Sequence, residues 1–243
     1  MEKLLLINQM KWLLLFRRFL GGDSELAESF IGLIDNTSGC NITKLPDDLI
    51  NIKEKMFSQL SNLALTELPA GLTSIGPTAF YGCTNLALTE LPASLTSIGY
   101  SAFFGCSKLA LTKLPAGLTS INNVTFRECT NLAVTELPAS LTSIGYGAFY
   151  GCTNLTEINC LGKINSILVE TFQNCSKLEK FILSNITSVI SLSSDSAFTG
   201  TPIESGTGYI YVPDTLVDSF KSATNWSTYA DQIKPISELE ANA

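Results

Sequence analysis

Two kinds of residue recur in this chain at positions where they could do chemistry. Glu67, Glu90 and Glu136 share one place in a 23-residue period, with Lys113 in the same place between them. If successive periods stack as paired strands, neighbouring carboxylates lie roughly 5 Å apart, a separation that suits paired acids in glycoside hydrolysis. Cys83, Cys106, Cys129, Cys152 and Cys175 form a second row with the same period. One thiol per turn could be a ladder of metal ligands or disulfides, or a column of small buried hydrophobes. The chain has no histidine, so the commonest general base, the commonest zinc ligand and the Ser-His and Cys-His nucleophile pairs are all missing. Carboxylates repeated once per turn, with no single distinctive pocket, read as solvated surface residues. The expectation is therefore a protein that is not an enzyme, with no catalytic residue, no metal and no cofactor.

The charge pattern narrows the partners further. A net charge of -7 and only 15 basic residues in 243 leave no basic cluster of the kind that phosphate binding needs, so nucleic acid is not expected as a partner.

The elements that must position these rows follow from the same period. Phe57, Phe80, Phe103, Phe126, Phe149 and Phe172 recur with it, as do Ile52, Ile75, Ile98, Ile121, Ile144 and Ile167. Leu-Pro pairs begin the early units at Leu45, Leu68, Leu91, Leu114 and Leu137. A unit this short cannot bury its own apolar face, so neighbours must stack into a continuous core. Each buried ring then contributes roughly 2–3 kcal/mol. Within Leu68 to Glu90, the segment Leu72 to Ile75 suits a short extended stretch. Thr78 to Tyr81 suits a single helical or 3₁₀ turn closed by Gly82, and Asn85 to Leu91 suits a returning strand.

The stretches LTSIGPTAFYGCTNL, LTSIGYSAFFGCSKL and LTSIGYGAFYGCTNL resemble the BspA-type leucine-rich repeats of bacterial surface proteins. The resemblance covers about Leu45 to Ile203. It implies an α/β solenoid, a leucine-rich repeat with 23-residue units and a short strand per turn, and helical N- and C-terminal caps. The expected organisation is an N-terminal helical cap over 1–44, about seven repeat units over 45–208 and a strand-helix cap over 209–243. In function, the resemblance implies a cell-surface or secreted binding or adhesion module with a protein or glycan as its ligand.

Two surfaces are candidates for that ligand. The family places an apolar residue three after the Leu of Asn-Leu, as Ile158 follows Leu155, but the middle units have Thr there and an apolar residue one place earlier. In the family register, alternation turns Leu65, Leu88, Leu111 and Val134 outward beside Glu67, Glu90, Lys113 and Glu136. A local shift of register would bury the aliphatic row and expose the Thr instead. Either way this strand face is the first candidate for ligand contact. The second is the aromatic row Tyr81, Phe104 and Tyr150, with Arg127 and Gln173 in the equivalent slots. Joined by Tyr100 and Tyr146, it could stack on sugars or peptides, or it could simply pack one turn on the next.

The ends read as caps. The interval from Phe172 to Phe198 is longer than the repeat period, which places an insertion around Ser191 to Ser196. Tyr209 to Val212 reads as a strand, Asp214 as the cap of a helix from Thr215 to about Ala223, and Trp226, Tyr229 and Ile233 as one closing apolar face. Residues 1–20 are largely apolar but lack the charge order of a secretory signal, and membrane contact is expected only through them. They suit a packed or partner-binding helix, an atypical signal or a membrane-surface helix. A second helix is expected from Asp23 or Ser24 to about Ile34. Docking through these helices, as a structural or assembly subunit of a phage or secreted particle, is the alternative function.

Overall fold

In the computed structural model, the residues described are 34–35, 41–42 and 44–240. The expected helices over 1–34 lie outside them, except for Ile34. Ile34–Asp35 (β1) pairs antiparallel with Asn41–Ile42 (β2). From there the chain winds as a solenoid whose parallel strands recur with the period of the sequence.

One strand per coil forms the first column: Asn51–Ile52 (β3), Ser74–Ile75 (β4), Ser97–Ile98 (β5), Ser120–Ile121 (β6), Ser143–Ile144 (β8), Ser166–Ile167 (β10) and Ser191–Leu192 (β12). Ladder pairing joins β3–β4–β5, β6–β8 and β10–β12. In the joined early coils a glycine follows the Ile, and its N–H donates to the preceding Ile carbonyl, as Gly76 does to Ile52 at 2.7 Å. A Cβ on Gly76 would lie 2.6 Å from the Glu54 nitrogen, so the coils are in backbone contact there. The ladder breaks at the two coils that carry Asn122 and Leu168 instead. At the first break the Asn122 side-chain amide donates to the Ile98 carbonyl at 2.6 Å, taking over the missing backbone bond.

The second column holds Glu136–Leu137 (β7), Glu157–Cys160 (β9), Lys180–Ile182 (β11), Tyr209–Val212 (β13) and Ile233–Pro235 (β14), all parallel. The strand expected over Asn85 to Leu91 is absent, because the early coils do not alternate there.

Between the columns the chain makes a tight turn that differs from the expected helical or 3₁₀ turn at Thr78 to Tyr81. Its amides alternate between two partners. Thr78, Phe80 and Gly82 donate forward to Tyr100, Ala102 and Phe104 at 2.7–2.9 Å, while Ala79, Tyr81 and Cys83 donate back to Gly76, Thr78 and Phe80 at 3.1–3.3 Å. A uniform helix cannot serve both sets, so residues four apart take the left-handed conformation. Thr78 and Gly82 do so at φ 52° and 69°, and Val124 and Glu128 at 49° and 62°. Among the described coils, only the last carries a 3₁₀ turn at this place, Asp195–Phe198.

The phenylalanines stack down the core at centroid distances of 5.3–5.7 Å, with planes within 16° from Phe57 to Phe172. Beside them each ladder thiol donates to the carbonyl of the previous coil's Phe, from Cys83 to Phe57 through Cys175 to Phe149, every one at 3.0 Å. The cysteines thus stitch the coils as well as fill space, a role that their buried spacing alone did not show.

The last turn closes with side chains in place of a next coil. Trp226 Nε1 and the Asn225 amide donate to the Ile190 and Leu192 carbonyls, each at 2.7 Å, and the Tyr229 hydroxyl donates to the Asp195 carbonyl. Trp226, Tyr229 and Ile233 are all buried. The helix here is Val217–Ser222 (α1), shorter than expected. Asp214 does not cap it; its carboxylate accepts the Ser237 N–H at 3.2 Å and so holds the start of Ser237–Glu240 (α2). The insertion is also earlier than expected. Ser166 pairs with Ser191, two positions beyond the period, and Phe172 stacks on Phe198, three beyond it. Most of the extra length therefore precedes Ser191, and a single added position follows Leu192.

Two outcomes test this core. Phe126→Ala removes a ring stacked on both sides and should cost about 3–5 kcal/mol in chemical denaturation; a cost below about 1 kcal/mol would contradict the stack. Burial also raises the folded thiols, Cys83 and Cys175 to about 12 and Cys160 to about 11, from an ordinary value of 9.0. The unfolded state therefore loses thiol protons first, and stability should hold below pH 9 and fall as pH rises toward 12. Combined Cys→Ala variants should flatten that fall in alkaline urea melts.

Candidate functional site

The strand-face candidate changes character in the structure. Leu65, Leu88, Leu111 and Val134 are each 0 % exposed and belong to the core. This corrects the outward facing that the family register implies, and these four side chains offer no contact surface. The physical reason is the order of residues. In Val134-Thr-Glu-Leu137 two polar residues stand between two buried aliphatic ones, and both Thr135 and Glu136 are exposed. A strand alternates faces residue by residue, so this order forces an irregular path. Glu157-Ile-Asn-Cys160 does alternate, with Ile158 and Cys160 buried, and there, as in Tyr209–Val212, the strand extends over the whole segment. What the early coils present outward is a row of Thr66, Thr89, Thr112 and Thr135 beside exposed Glu67, Glu90, Lys113 and Glu136. Farther along, Glu157 meets Lys180 at 3.5 Å.

The aromatic row is both packed and partly open. Tyr81 and Phe104 stack at 4.8 Å and 21°. Farther along the row, the Arg127 guanidinium lies 3.6 Å from the centre of the Tyr150 ring. All four side chains remain half-buried, as does Gln173. Tyr100 and Tyr146, four residues before Phe104 and Tyr150, are 50 % and 38 % exposed. The row therefore joins neighbouring turns and is still partly open to solvent.

A polar network fixes one end of this face. Arg127 Nη1 pairs with Glu170 Oε2 at 3.0 Å, the Tyr146 hydroxyl donates to the same oxygen at 2.8 Å, and the Asn174 amide donates to the Tyr150 hydroxyl at 2.8 Å. The Tyr146 and Arg127 bonds lower the Glu170 carboxyl, and the acceptor carboxylate raises the Tyr146 phenol. Sequence reasoning missed Glu170; it falls outside every repeated row, and no spacing signal marks it.

Outside these rows, a cavity of about 170 Å³ lies between Lys163–Asn165 and the lengthened loop Asn185–Ile190. It is smaller than the pockets that hold most small ligands. Among the described residues, no group of three His, Cys, Asp or Glu is arranged to hold a metal ion, and no helix is long and apolar enough to cross a membrane.

The comparisons agree with this geometry. The profile described as the BspA type Leucine rich repeat region matches in six copies over residues 35–121 and 108–224. No curated protein matches the chain. Among solved structures, the T. pallidum leucine-rich repeat protein TpLRR is 28% identical with a TM-score of 0.58, over 72% of this chain and 79% of that one. A leucine-rich repeat protein from Eubacterium ventriosum is 24% identical with a TM-score of 0.50, over 65% of this chain and 42% of that one.

Glu170→Gln tests the network. The Tyr146 phenol should titrate at lower pH once the charged acceptor is gone, read by ultraviolet absorbance. Stability should change by less than about 1 kcal/mol, because the pair is near the surface. An unmoved Tyr146 titration would show that the hydrogen bond is not populated.

Proposed function

Because the chain belongs to the BspA-type leucine-rich-repeat family, we propose that it is a non-enzymatic binding or adhesion module, displayed at the cell surface or secreted, that engages an extended protein or glycan ligand through its repeated surface. The observation that carries this reading is the aromatic face. Tyr81, Tyr100, Phe104, Tyr146 and Tyr150 place partly open rings in register on three of four successive coils. Aromatic side chains supply much of the energy of recognition, since each offers a large rigid area at little entropic cost.

The strand face supplies a different contribution. With its aliphatic row buried, Glu67, Glu90, Lys113 and Glu136 form a solvated charged row. Such rows steer encounter and select against wrong partners more than they add affinity. The core binding surface in this reading is the aromatic turn face, and the charged row contributes less to affinity.

The test is a binding screen of the intact chain against extracellular-matrix proteins and a glycan panel, repeated with variants. The double variant Tyr81→Ala/Phe104→Ala should bind at least about tenfold more weakly, while Glu67→Gln/Glu90→Gln should stay within about threefold at physiological salt. A silent panel, or a double variant that keeps its fold by circular dichroism and binds like the parent, overturns the proposal.

A further inference from the structure

Tyr100, Asn123 and Tyr146 occupy one register position in three consecutive coils. The bonds that fix it are Ser101 N–H to the Asn123 carbonyl at 3.0 Å and Val124 N–H to the Tyr146 carbonyl at 2.8 Å. The side-chain oxygen of Asn123 also accepts the Tyr146 N–H at 3.0 Å. The two tyrosines are among the most exposed large hydrophobic side chains of the described residues, and they stand two coils apart, about 10 Å at the usual strand spacing. Resting on the binding-module reading above, we infer that this row is a subsite for a neutral, extended β-linked glycan, with Tyr100 and Tyr146 stacking on every second sugar and Asn123 facing the sugar between them.

Three observations carry this inference. The first is period. A β-linked hexopyranose chain in its twofold ribbon form turns each ring over relative to the last, so like faces recur at every second sugar. Tyrosines on alternate coils present rings with that same alternation, whereas a ring on every coil would meet unlike faces.

The second is charge. Segments 70–77, 93–100, 116–123 and 139–146, which lead into this row on four coils, contain no charged residue, although the chain carries a net charge of -7. An anionic polymer meets an acidic protein, and a cationic one finds no carboxylate on these segments. Two carboxylates stand near the row, and each is paired with a cation: Glu170 on Tyr146 with Arg127, and Glu54, at the same register position two coils before Tyr100, with Lys55.

The third is the state of the hydroxyls on the segments that lead into the row. Thr96 and Thr142 donate to the Thr73 and Thr119 carbonyls at 3.3 and 3.0 Å, and Ser94 and Ser140 donate to carbonyls of the preceding coil at 2.5–2.7 Å. A hydroxyl that has given its proton to the backbone offers lone pairs outward, which suits the donating hydroxyls of a sugar. The Glu170 bond holds the Tyr146 ring in place, so little ordering is needed when a ligand arrives.

Titration of the full chain with cello- and chito-oligosaccharides, from dimer to hexamer, tests this. Affinity should step up between dimer and trimer, because a trimer is the shortest ligand that reaches both rings. Tyr100→Ala and Tyr146→Ala should each lower hexamer affinity about two- to tenfold. The double variant should abolish the length step, and Tyr100→Phe should keep it, because stacking uses the ring and not the hydroxyl. Binding without length dependence, or binding only of charged glycans with steep salt dependence, overturns the inference. If no neutral oligosaccharide binds while a protein ligand from the screen above still does, the inference falls and the binding-module reading stands. If neither binds, both fall.

Discussion

Everything in this structure depends on the shared amides of the turn between the two strand columns. From Thr78 to Cys83, alternate N–H groups reach the next coil, and the ones between close their own turn. The backbone of this segment is therefore fully committed, and a coil cannot lengthen there without leaving buried polar groups unpaired. That requirement holds the period constant from coil to coil. It also makes the chain accept left-handed backbone at non-glycine positions, including the β-branched Val124, where such a conformation is costly.

Once the period is fixed, the core assembles by repetition. A ring at one position meets the same ring above and below, and a thiol at another meets the same phenylalanine carbonyl. Contacts repeated coil after coil need only one local solution. The cost appears at the ends, where a stack has no next member. There the cap uses an indole, a carboxamide and a phenol to donate to three carbonyls that a further coil would have satisfied. These three donors come from a short segment with no repeat of its own.

The same repetition shapes the surface. Any exposed residue type that recurs becomes a row, so binding chemistry spreads along the solenoid instead of gathering in a cleft. Rows also differ in what they can offer. The Thr and Glu rows are solvated and uniform, whereas the turn face combines stacked rings, a guanidinium over a ring and two exposed tyrosines. The polar network around Glu170 occurs at one end only, so the face has a direction that the repeat alone does not give it.

By itself, the sequence determined the solenoid, its period and most of its core, because residues that recur at one fixed interval can only stack upon one another. It also marked the aromatic row and the closing Trp226, Tyr229 and Ile233. It left the facing of Leu65, Leu88, Leu111 and Val134 open, since a one-position shift reverses a strand's faces and two adjacent polar residues fit neither face pattern. Only the tertiary structure decided that they are buried. The turn was also decided there, because its conformation follows from bonds to the next coil, and local propensity reads only one coil at a time. The thiol donors, the exchange of Asn122 for a backbone amide and the Glu170 network share that origin. Each joins groups on different coils, far apart in sequence, which meet only when the coils are in register.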